Sequence, residues 1–349
     1  MLYVGMDVHQ KSTVFCLYNP AAQPARQYRT LTRPTTPEGF EEVLKPLGRQ
    51  CHAAFEVGTQ AQWIASLVRP LVQRVEVANP SRIPWLYRDG RKNDRMDARK
   101  LATLLYLDQL PKVHLPAPDI SAWRSLINHR RACVNQRTRL KNRIRTLLRA
   151  FGRRCPFRSC WTQEGRSWLL TQALDAARDL MMQMLLQDLD VATQRITRIE
   201  QQLDQISAQH PDAALLRTIP GIGARTAEAN EAFADTPQRF GRSRQFTSYF
   251  GMTPTQDASG ERNRHGHISK RGPSVVRWVV VQAAHCIVRS RSALRTWFER
   301  VCRGQKNRFK KAIVALGRKV LAIAYRMLAD QTPYDDARVC GSATSGVGK

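Results

Sequence analysis

Leu2-Tyr3-Val4-Gly5-Met6-Asp7-Val8 is the stretch whose reading decides the fold. It is an apolar, strand-like run with one acid in it. A carboxylate inside such a run is costly unless it is paired or holds a cation. Asp7 is therefore more informative than an exposed acid, although a strand-end acid facing water is the competing reading. Outward from this run, Ser12 to Tyr18 reads as a second strand and Gln27 to Arg33 as a third. Thr36-Pro37-Glu38 is a helix start, with a cap residue, a first-position proline and an early acid. That helix is expected to end near Gly48. Cys51 to Val57 is another buried-looking strand, and it carries a second acid, Glu56. A helix from Thr59 to Leu71 and a strand from Arg74 to Ala78 follow.

The next helix carries Arg91-Lys92-Asn93-Asp94-Arg95-Met96-Asp97-Ala98-Arg99-Lys100, two aspartates among five bases. On a helix, positions three apart share a face, so Asp94 and Asp97 point the same way. A divalent cation would explain the pairing, because hard cations take carboxylate oxygens and bridge to phosphates. A solvated helix start, with acids favoured by the dipole, is the alternative. The element order β-β-β-α-β-α-β-α matches the ribonuclease H-like layout, a mixed sheet flanked by helices. Acids on its first strand, its fourth strand and a later helix then converge at one edge. Asp7, Glu56, Asp94 and Asp97 form such a DEDD set, able to hold two metals about 3.5–4 Å apart that clamp a phosphodiester. Asp89 and Asp108 are the rival carboxylates. Asp89 reads as a turn residue, and Asp108 lies three turns beyond Asp97.

The chain has 349 residues with 56 Lys plus Arg against 28 Asp plus Glu, a formal net charge of +28. The excess is spread along the chain and implies a polyanion, most simply nucleic acid. No apolar run is long enough to span a membrane, and there is no lipidation or leader pattern. The eight cysteines show no zinc spacing and read as reduced thiols of a cytoplasmic, nucleoid-associated protein.

Between Ile120 and Gln163 there are 12 Lys or Arg and no acid. Trp123 to Arg149 reads as one helix with a seam of Leu126, Cys133, Leu140, Ile144 and Leu147. Arg130, Arg131, Arg137, Arg139, Lys141, Arg143, Arg145 and Arg149 crowd its other faces. Such a helix repels itself unless an anion binds, and phosphate backbone is the expected anion. Composition does not tell RNA from DNA. Residues 153–165 read as a linker. Met182, Leu185, Leu189, Ala192, Ile196, Ile199, Leu203 and Ile206 step by alternating threes and fours, a heptad seam. It serves either self-association, the favoured reading, or a hairpin with the basic helix. Leu215 to Ala227, through Ile219-Pro220-Gly221-Ile222-Gly223, is a helix-hairpin-helix signature whose glycines let backbone amides approach a phosphate; a plain helical turn is the alternative.

Phe246 to Gly260 and Glu261 to Pro273 form a loop of Ser, Gly, Arg and His between helices. On its own residues Ser259-Gly260 is a turn. Arg262, Arg264, His265, His267, Lys270 and Arg271 surround it and could cradle a phosphate. Helices from Ser274 to Val288, Ala293 to Cys302 and Arg308 to Leu328 follow, then a polar tail expected to be disordered. The domains expected are 1–115 with the acids, 116–165 basic helix and linker, 166–210 coiled coil, 211–330 helical module and 331–349 tail.

Taken together, these motifs resemble the Piv/MooV-like DEDD transposases and invertases of bacterial insertion sequences, the bridge-RNA-guided recombinases. The resemblance rests on Gly5-Met6-Asp7-Val8-His9, Phe55-Glu56, Lys92 to Ala98, the Ile219 to Ala227 hairpin, Tyr249-Phe250-Gly251-Met252-Thr253-Pro254, Ser259-Gly260 and Ile268-Ser269-Lys270-Arg271-Gly272. It runs in order along nearly the whole chain. It implies a RuvC-like domain in which Asp7, Glu56, Asp94 and Asp97 bind Mg²⁺, and a C-terminal transposase domain in which Ser259 attacks DNA through a phosphoserine intermediate. It also implies donor and target DNA paired by a structured non-coding RNA, and dimers assembling into tetramers. A RuvC-like, junction-resolving nuclease using water, and a non-catalytic nucleic-acid scaffold, are the competing functions.

Overall fold

A computed structural model describes residues 1–79, 93–259 and 262–337, excepting the side chains of 257–259 and 262–265. Asp89 lies outside these residues. The chain divides into two compact units, Met1–Pro118 and Asp119–Lys349. The basic helix, the heptad segment and the helical module all fall within the second.

The first unit is a mixed sheet covered on both faces. Its elements are β1 (Leu2–Val8), β2 (Ser12–Tyr18), β3 (Tyr28–Pro34), α1 (Pro37–Leu44), β4 (Cys51–Glu56), α2 (Ala61–Val68), β5 (Arg74–Ala78) and α3 (Asp94–Tyr106). The strand order is β3-β2-β1-β4-β5. β1, β2 and β3 pair antiparallel, and β1, β4 and β5 parallel. The expected cap of α1 forms, since Thr36 Oγ1 accepts from Gly39 N at 3.2 Å.

Alternation along the strands sorts the side chains. Val4, Met6, Phe15, Ala53 and Phe55 join the core under α1 and α2. Ala54 and Ala78 lie on the other face with Leu101, Leu104 and Leu105 of α3, and Val14, Cys16 and Tyr18 pack with Ala98 and Ala102. Gly5 shares this second face. A Cβ on Gly5 would sit 2.0 Å from Ala98 O and 2.5 Å from Ala102 N. Only glycine lets α3 lie this close to β1.

The second unit opens with α4 (Pro118–Ala150), α5 (Gln163–Leu170) and α6 (Ala176–Ala208). The basic segment is a helix, as expected, but its buried seam is Trp123, Ile127, Cys133, Leu140, Ile144 and Leu148. Leu126 and Leu147 of the expected seam are half-buried and pack against the same cores, with Trp123, Ile127 and Leu148 completing the buried stripe. The heptad segment is also one helix. Its seam does not await a second chain. Ile196, Ile199 and Leu203 share a core with Trp123, Ile127 and Cys133, and Met182 to Ala192 share one with Leu140, Ile144 and Leu148. α4 and α6 therefore form an antiparallel hairpin, and the self-association expected of this seam is replaced by pairing within the chain. Burying the apolar stripes of both helices at once removes the need for a second copy there.

α7 (Pro211–Leu216) and α8 (Ala224–Ala234) follow, joined by the Pro-Gly-Ile-Gly turn, then α9 (Ser243–Tyr249), β6 (Pro254–Ser259), β7 (Arg262–Ile268), α10 (Ser274–Ile287), α11 (Ala293–Cys302) and α12 (Phe309–Asp330). The expected loop around Ser259 is thus a two-stranded antiparallel hairpin, with Ser259 opposite Arg262. Of the expected tail, residues 331–337 are hydrogen-bonded to the domain: Gln331 Nε2 donates to Asp212 at 3.0 Å and Tyr334 N to Thr218 Oγ1 at 3.0 Å. Residues 338–349 lie outside the described part. Among the described residues no helix is long and apolar enough to cross a membrane, and seven cysteines are free thiols.

α8 carries acids into this core. Glu228 is 1% exposed and Glu231 8%. Burial, which leads over neighbouring charges, pushes the Glu228 carboxyl up to about 7 and the Glu231 carboxyl up to about 8, from an ordinary 4.5. His210 Nδ1 lies 3.2 Å from Glu231 without offsetting that burial. A carboxyl whose folded pKa is raised favours folding least once the unfolded chain has released the proton that the folded chain keeps. Stability is therefore expected to fall as pH rises from about 4.5 to 8. Glu231→Gln should raise the melting temperature at pH 8 by about 2–4 °C for each kcal/mol recovered and leave it unchanged near pH 4, as read by calorimetry at the two pH values.

Candidate active site

The parallel register Met6↔Phe55 puts Asp7 and Glu56 one step further on, side by side at the ends of β1 and β4. Both follow the alternation that faces α3. Asp94 and Asp97 occupy the first turn of α3, whose cap Asn93 accepts from Arg95 N at 3.0 Å. Ala98, one residue on, is the residue pressed against Gly5. Backbone packing thus delivers the first turn of the helix to the end of β1.

The four acids feel one another. The Asp7 carboxyl is raised above its ordinary value, chiefly by burial, and further by Asp94, Asp97 and Glu56, against a lowering by His9. Asp97 is also 3.7 Å from Lys100 Nζ. All four acids singled out in the sequence are therefore brought together at one sheet edge. Asp108 is not with them; it pairs with Lys112 at 2.8 Å on the surface.

His9 is a member of the site that the sequence did not single out. Its Nε2 lies 3.3 Å from Asp7 Oδ2 and 3.3 Å from Asp94 Oδ2. Its backbone is pinned by Thr35, whose hydroxyl donates to His9 O at 2.8 Å and contacts the Thr13 hydroxyl at 2.9 Å. The available signal was Asp-x-His at a strand end, where residues two apart share a face. A cavity of about 470 Å³ opens beside His9, Glu56 and the start of α2.

The donors suit a divalent cation. Asp7, His9 and Asp94 each offer a ligand atom, and these atoms lie within 4.8 Å of one another. Clustered carboxylates repel, and a cation at their centre relieves that repulsion. The imidazole also brings a nitrogen donor, which widens the choice from Mg²⁺ toward Mn²⁺.

The remaining candidates lie in the second unit. Arg130 Nε donates to Glu200 at 2.7 Å and Arg131 Nη1 to Ser274 Oγ at 3.0 Å. These two hold helices together, and the acid that answers Arg130 comes from α6, not from its own helix. Lys141 and Arg145 lie over the Trp161 ring, at 4.9 Å and 5.4 Å from its centroid. Arg139, Arg143 and Arg145 are exposed and Arg137 half-buried. Gly221 has φ +79°, and a Cβ there would meet Ile287 Cγ1 at 2.7 Å, so packing on α10 accounts for that glycine. Gly223 opens α8 with free space around its Cα.

The hairpin carrying Ser259 is stitched at its base. Ser269 N donates to Thr253 O at 2.9 Å and Lys270 N to Gly251 O at 3.1 Å. Arg277 Nη1 donates to Phe250 O, Arg271 O and Gly272 O at 3.1, 2.6 and 3.0 Å. A Cβ on Gly272, at φ +71°, would lie 2.0 Å from Tyr249 O. Lys270 and Arg271 are exposed there. The side chains of Ser259 and Arg262 lie outside the described residues.

Two family models match the chain. Residues 4–152 match a DEDD transposase model of IS110 type, and residues 213–299 match the model described as Transposase IS116/IS110/IS902 family. Both models describe transposases of the IS110 type. The first spans all four acids and His9, and the second spans the stitched hairpin. Among curated relatives, a probable family 20 transposase of Pseudomonas aeruginosa is 26% identical over 81% of this chain and 86% of its own. The transposase for insertion sequence element IS1111A of Coxiella burnetii is 26% identical over 71% of this chain and 70% of its own. A pilin gene-inverting protein of Moraxella lacunata is 29% identical over 40% of this chain and 45% of its own.

The close approach at Gly5 yields a direct test. Gly5→Val is expected to push α3 off β1, destabilise the first unit by about 1–3 kcal/mol and weaken Mn²⁺ binding at least tenfold. Denaturation and Mn²⁺ titration of the variant check both outcomes.

Proposed function

We propose that this transposase is a site-specific DNA recombinase of an insertion sequence that cuts and rejoins DNA through a serine nucleophile, guided by a structured non-coding RNA. The observation that carries the proposal is the convergence of Asp7, Glu56, Asp94 and Asp97 on one edge of a mixed sheet whose strand order suits a RuvC-like domain. Asp7, Glu56, Asp94 and Asp97, with His9, would hold one or two divalent cations. When bound, these supply Lewis acidity toward phosphate oxygens and lower the pKa of a coordinated hydroxyl.

Ser259 ends β6 at the tip of a hairpin braced by Arg277, which supports its presentation to DNA. Its hydroxyl attacks a phosphodiester. A serine–phosphate ester forms as one strand ester breaks, the serine proton leaves to a base, and the departing strand oxygen takes up a proton. Attack by a strand hydroxyl on the phosphoserine reverses the exchange and frees the serine. The number of phosphate esters is conserved, so no nucleotide cofactor is needed. Lys270, Arg271 and Arg262 provide positive charge near the hairpin.

The net charge of +28 and the exposed arginines of α4 support a second polyanion besides donor and target DNA, and RNA is the partner proposed. Similarity to a relative named for inverting a pilin gene supports recombination over simple cleavage. A dimer or tetramer is proposed, assembled through surfaces other than the α4–α6 seam, in the bacterial cytoplasm at the nucleoid.

Junction formation in cells carrying the element with its flanks tests the mechanism. Ser259→Ala and Asp97→Ala are each expected to reduce new junctions to background at unchanged protein level. Normal junctions with Ser259→Ala and none with Asp97→Ala would replace the serine by water and leave a metal-dependent nuclease.

A further inference from the structure

A row of cations midway along α4 is not tied up in the fold. Arg137, Lys141 and Arg145 stand four residues apart, so they share one side of the helix at steps of about 6 Å. Arg137 and Lys141 are half-buried and Arg145 is exposed. Among the described residues none of the three forms an ion pair with an acid. This sets them apart from Arg130, which Glu200 answers, and from Arg166 and Arg178, which Asp190 and Asp175 answer. Burial, and then the charges of Arg137 and Arg145, hold the Lys141 ammonium below its usual range, and no acid is among the groups acting on it. Like charges at this spacing oppose one another until an anion lies across them.

The row is also held in place. Lys141 Nζ and Arg145 Cζ lie 4.9 and 5.4 Å from the centroid of the Trp161 ring, within reach of a cation–π contact. The ring itself is fixed. Trp161 N donates to Ser159 Oγ at 3.2 Å, and the side chain packs against the core that holds Leu140, Ile144 and Leu148. A Cβ on Gly165 would lie 2.4 Å from Ser159 O and 2.7 Å from Cys160 Cα, so the segment leading to Trp161 lies directly on α5. Two cations from successive turns of α4 are thus drawn to one ring, against their mutual repulsion. Side chains ordered beforehand lose less freedom when a ligand arrives.

We propose that Arg137, Lys141 and Arg145, positioned by Trp161, form a track for the sugar–phosphate backbone of a nucleic-acid strand. The row runs about 12 Å along the helix, which suits a chain of phosphates better than a single anion. The guanidinium groups and the ammonium donate charge-assisted hydrogen bonds to the phosphate oxygens. Backbone contacts of this kind fix the register of a strand and read no sequence. The track deepens the polyanion reading above by placing the contact on the far half of α4, since Arg130 and Arg131 of the near half are bonded within the fold. That the strand is RNA rests on that reading; the track itself does not.

The test titrates the full-length protein with a single-stranded RNA and a single-stranded DNA of the same sequence, over a series of salt concentrations. Arg137→Gln, Lys141→Gln and Arg145→Gln should each weaken binding about tenfold. Each should lower the slope of log affinity against log salt by about 0.7, and the triple variant by about 2. Trp161→Ala should weaken binding about threefold at unchanged slope, and Trp161→Phe should restore it, because the ring positions charge without carrying any. Arg178→Gln, whose charge Asp175 answers, should change neither affinity nor slope. Slope changes confined to RNA would assign the track to the guide. Slope changes confined to DNA would keep the track and discard RNA as its ligand. Unchanged slopes in variants with wild-type melting temperature, or an equal loss in Arg178→Gln, would overturn the proposal. Failure of Trp161→Phe to restore binding would overturn the role of the ring.

Discussion

The contact between Gly5 and the backbone of α3 is the constraint on which the first unit depends. A helix normally stands off a sheet by the thickness of its side chains. Here a glycine on the strand meets Ala98 and Ala102 on the helix, and main chain lies against main chain. The result is positional. Asp94 and Asp97 sit in the turn just before Ala98, and Asp7 sits two residues beyond Gly5 on the same face. Four carboxylates and His9 come together through packing, against their mutual repulsion. The Asp7 carboxyl is raised chiefly by burial, and Asp94, Asp97 and Glu56 add to the rise.

The positive charge of the chain does two kinds of work. Part of it is structural. Arg124 Nε donates to Ala232 O at 2.6 Å and Arg239 Nε to Ala234 O at 3.1 Å, so two cations close the carbonyl end of α8. Such groups complement the negative end of the helix dipole. Arg130, Arg225 and Arg277 similarly tie helices, acids and loop carbonyls. The rest remains at the surface, in the middle of α4 and around the hairpin base. Net charge thus overstates the cationic surface, and the hydrogen bonds show where it contracts.

The second unit is built around a buried α8 and a self-paired α4–α6 hairpin. The price of enclosing α8 is two buried glutamates, Glu228 and Glu231, which sit near neutrality in their protonation. The glycines at 251 and 272 have the same role as Gly5. Each removes a side chain where two backbone segments cross, and together they brace the hairpin on which Ser259 lies.

Much of the local structure was legible in the sequence. The strand runs, the Thr36 cap, the acid inside β1 and the paired acids of α3 follow from periodicity and local chemistry, which neighbours along the chain dictate. The heptad seam also predicted a long helix. Its partner did not follow, because an apolar stripe records that it must be covered and not by what. α4 covers it, and so self-association through this seam gave way to a hairpin. The stretch around Ser259 lacks the apolar alternation of a buried strand, and it read as a loop. Its strands are held by ladder hydrogen bonds and by Arg277, which come from distant residues. Arg130 read as a phosphate ligand because its acid, Glu200, lies 70 residues away. His9 needed Asp94, far along the chain, before its place beside Asp7 had meaning. What the sequence determined by itself were the elements and the chemical types of the site. Which faces meet, which charges are already neutralised, and that His9 joins the four acids were decided only by the tertiary structure, because those quantities depend on distances between residues far apart in the chain.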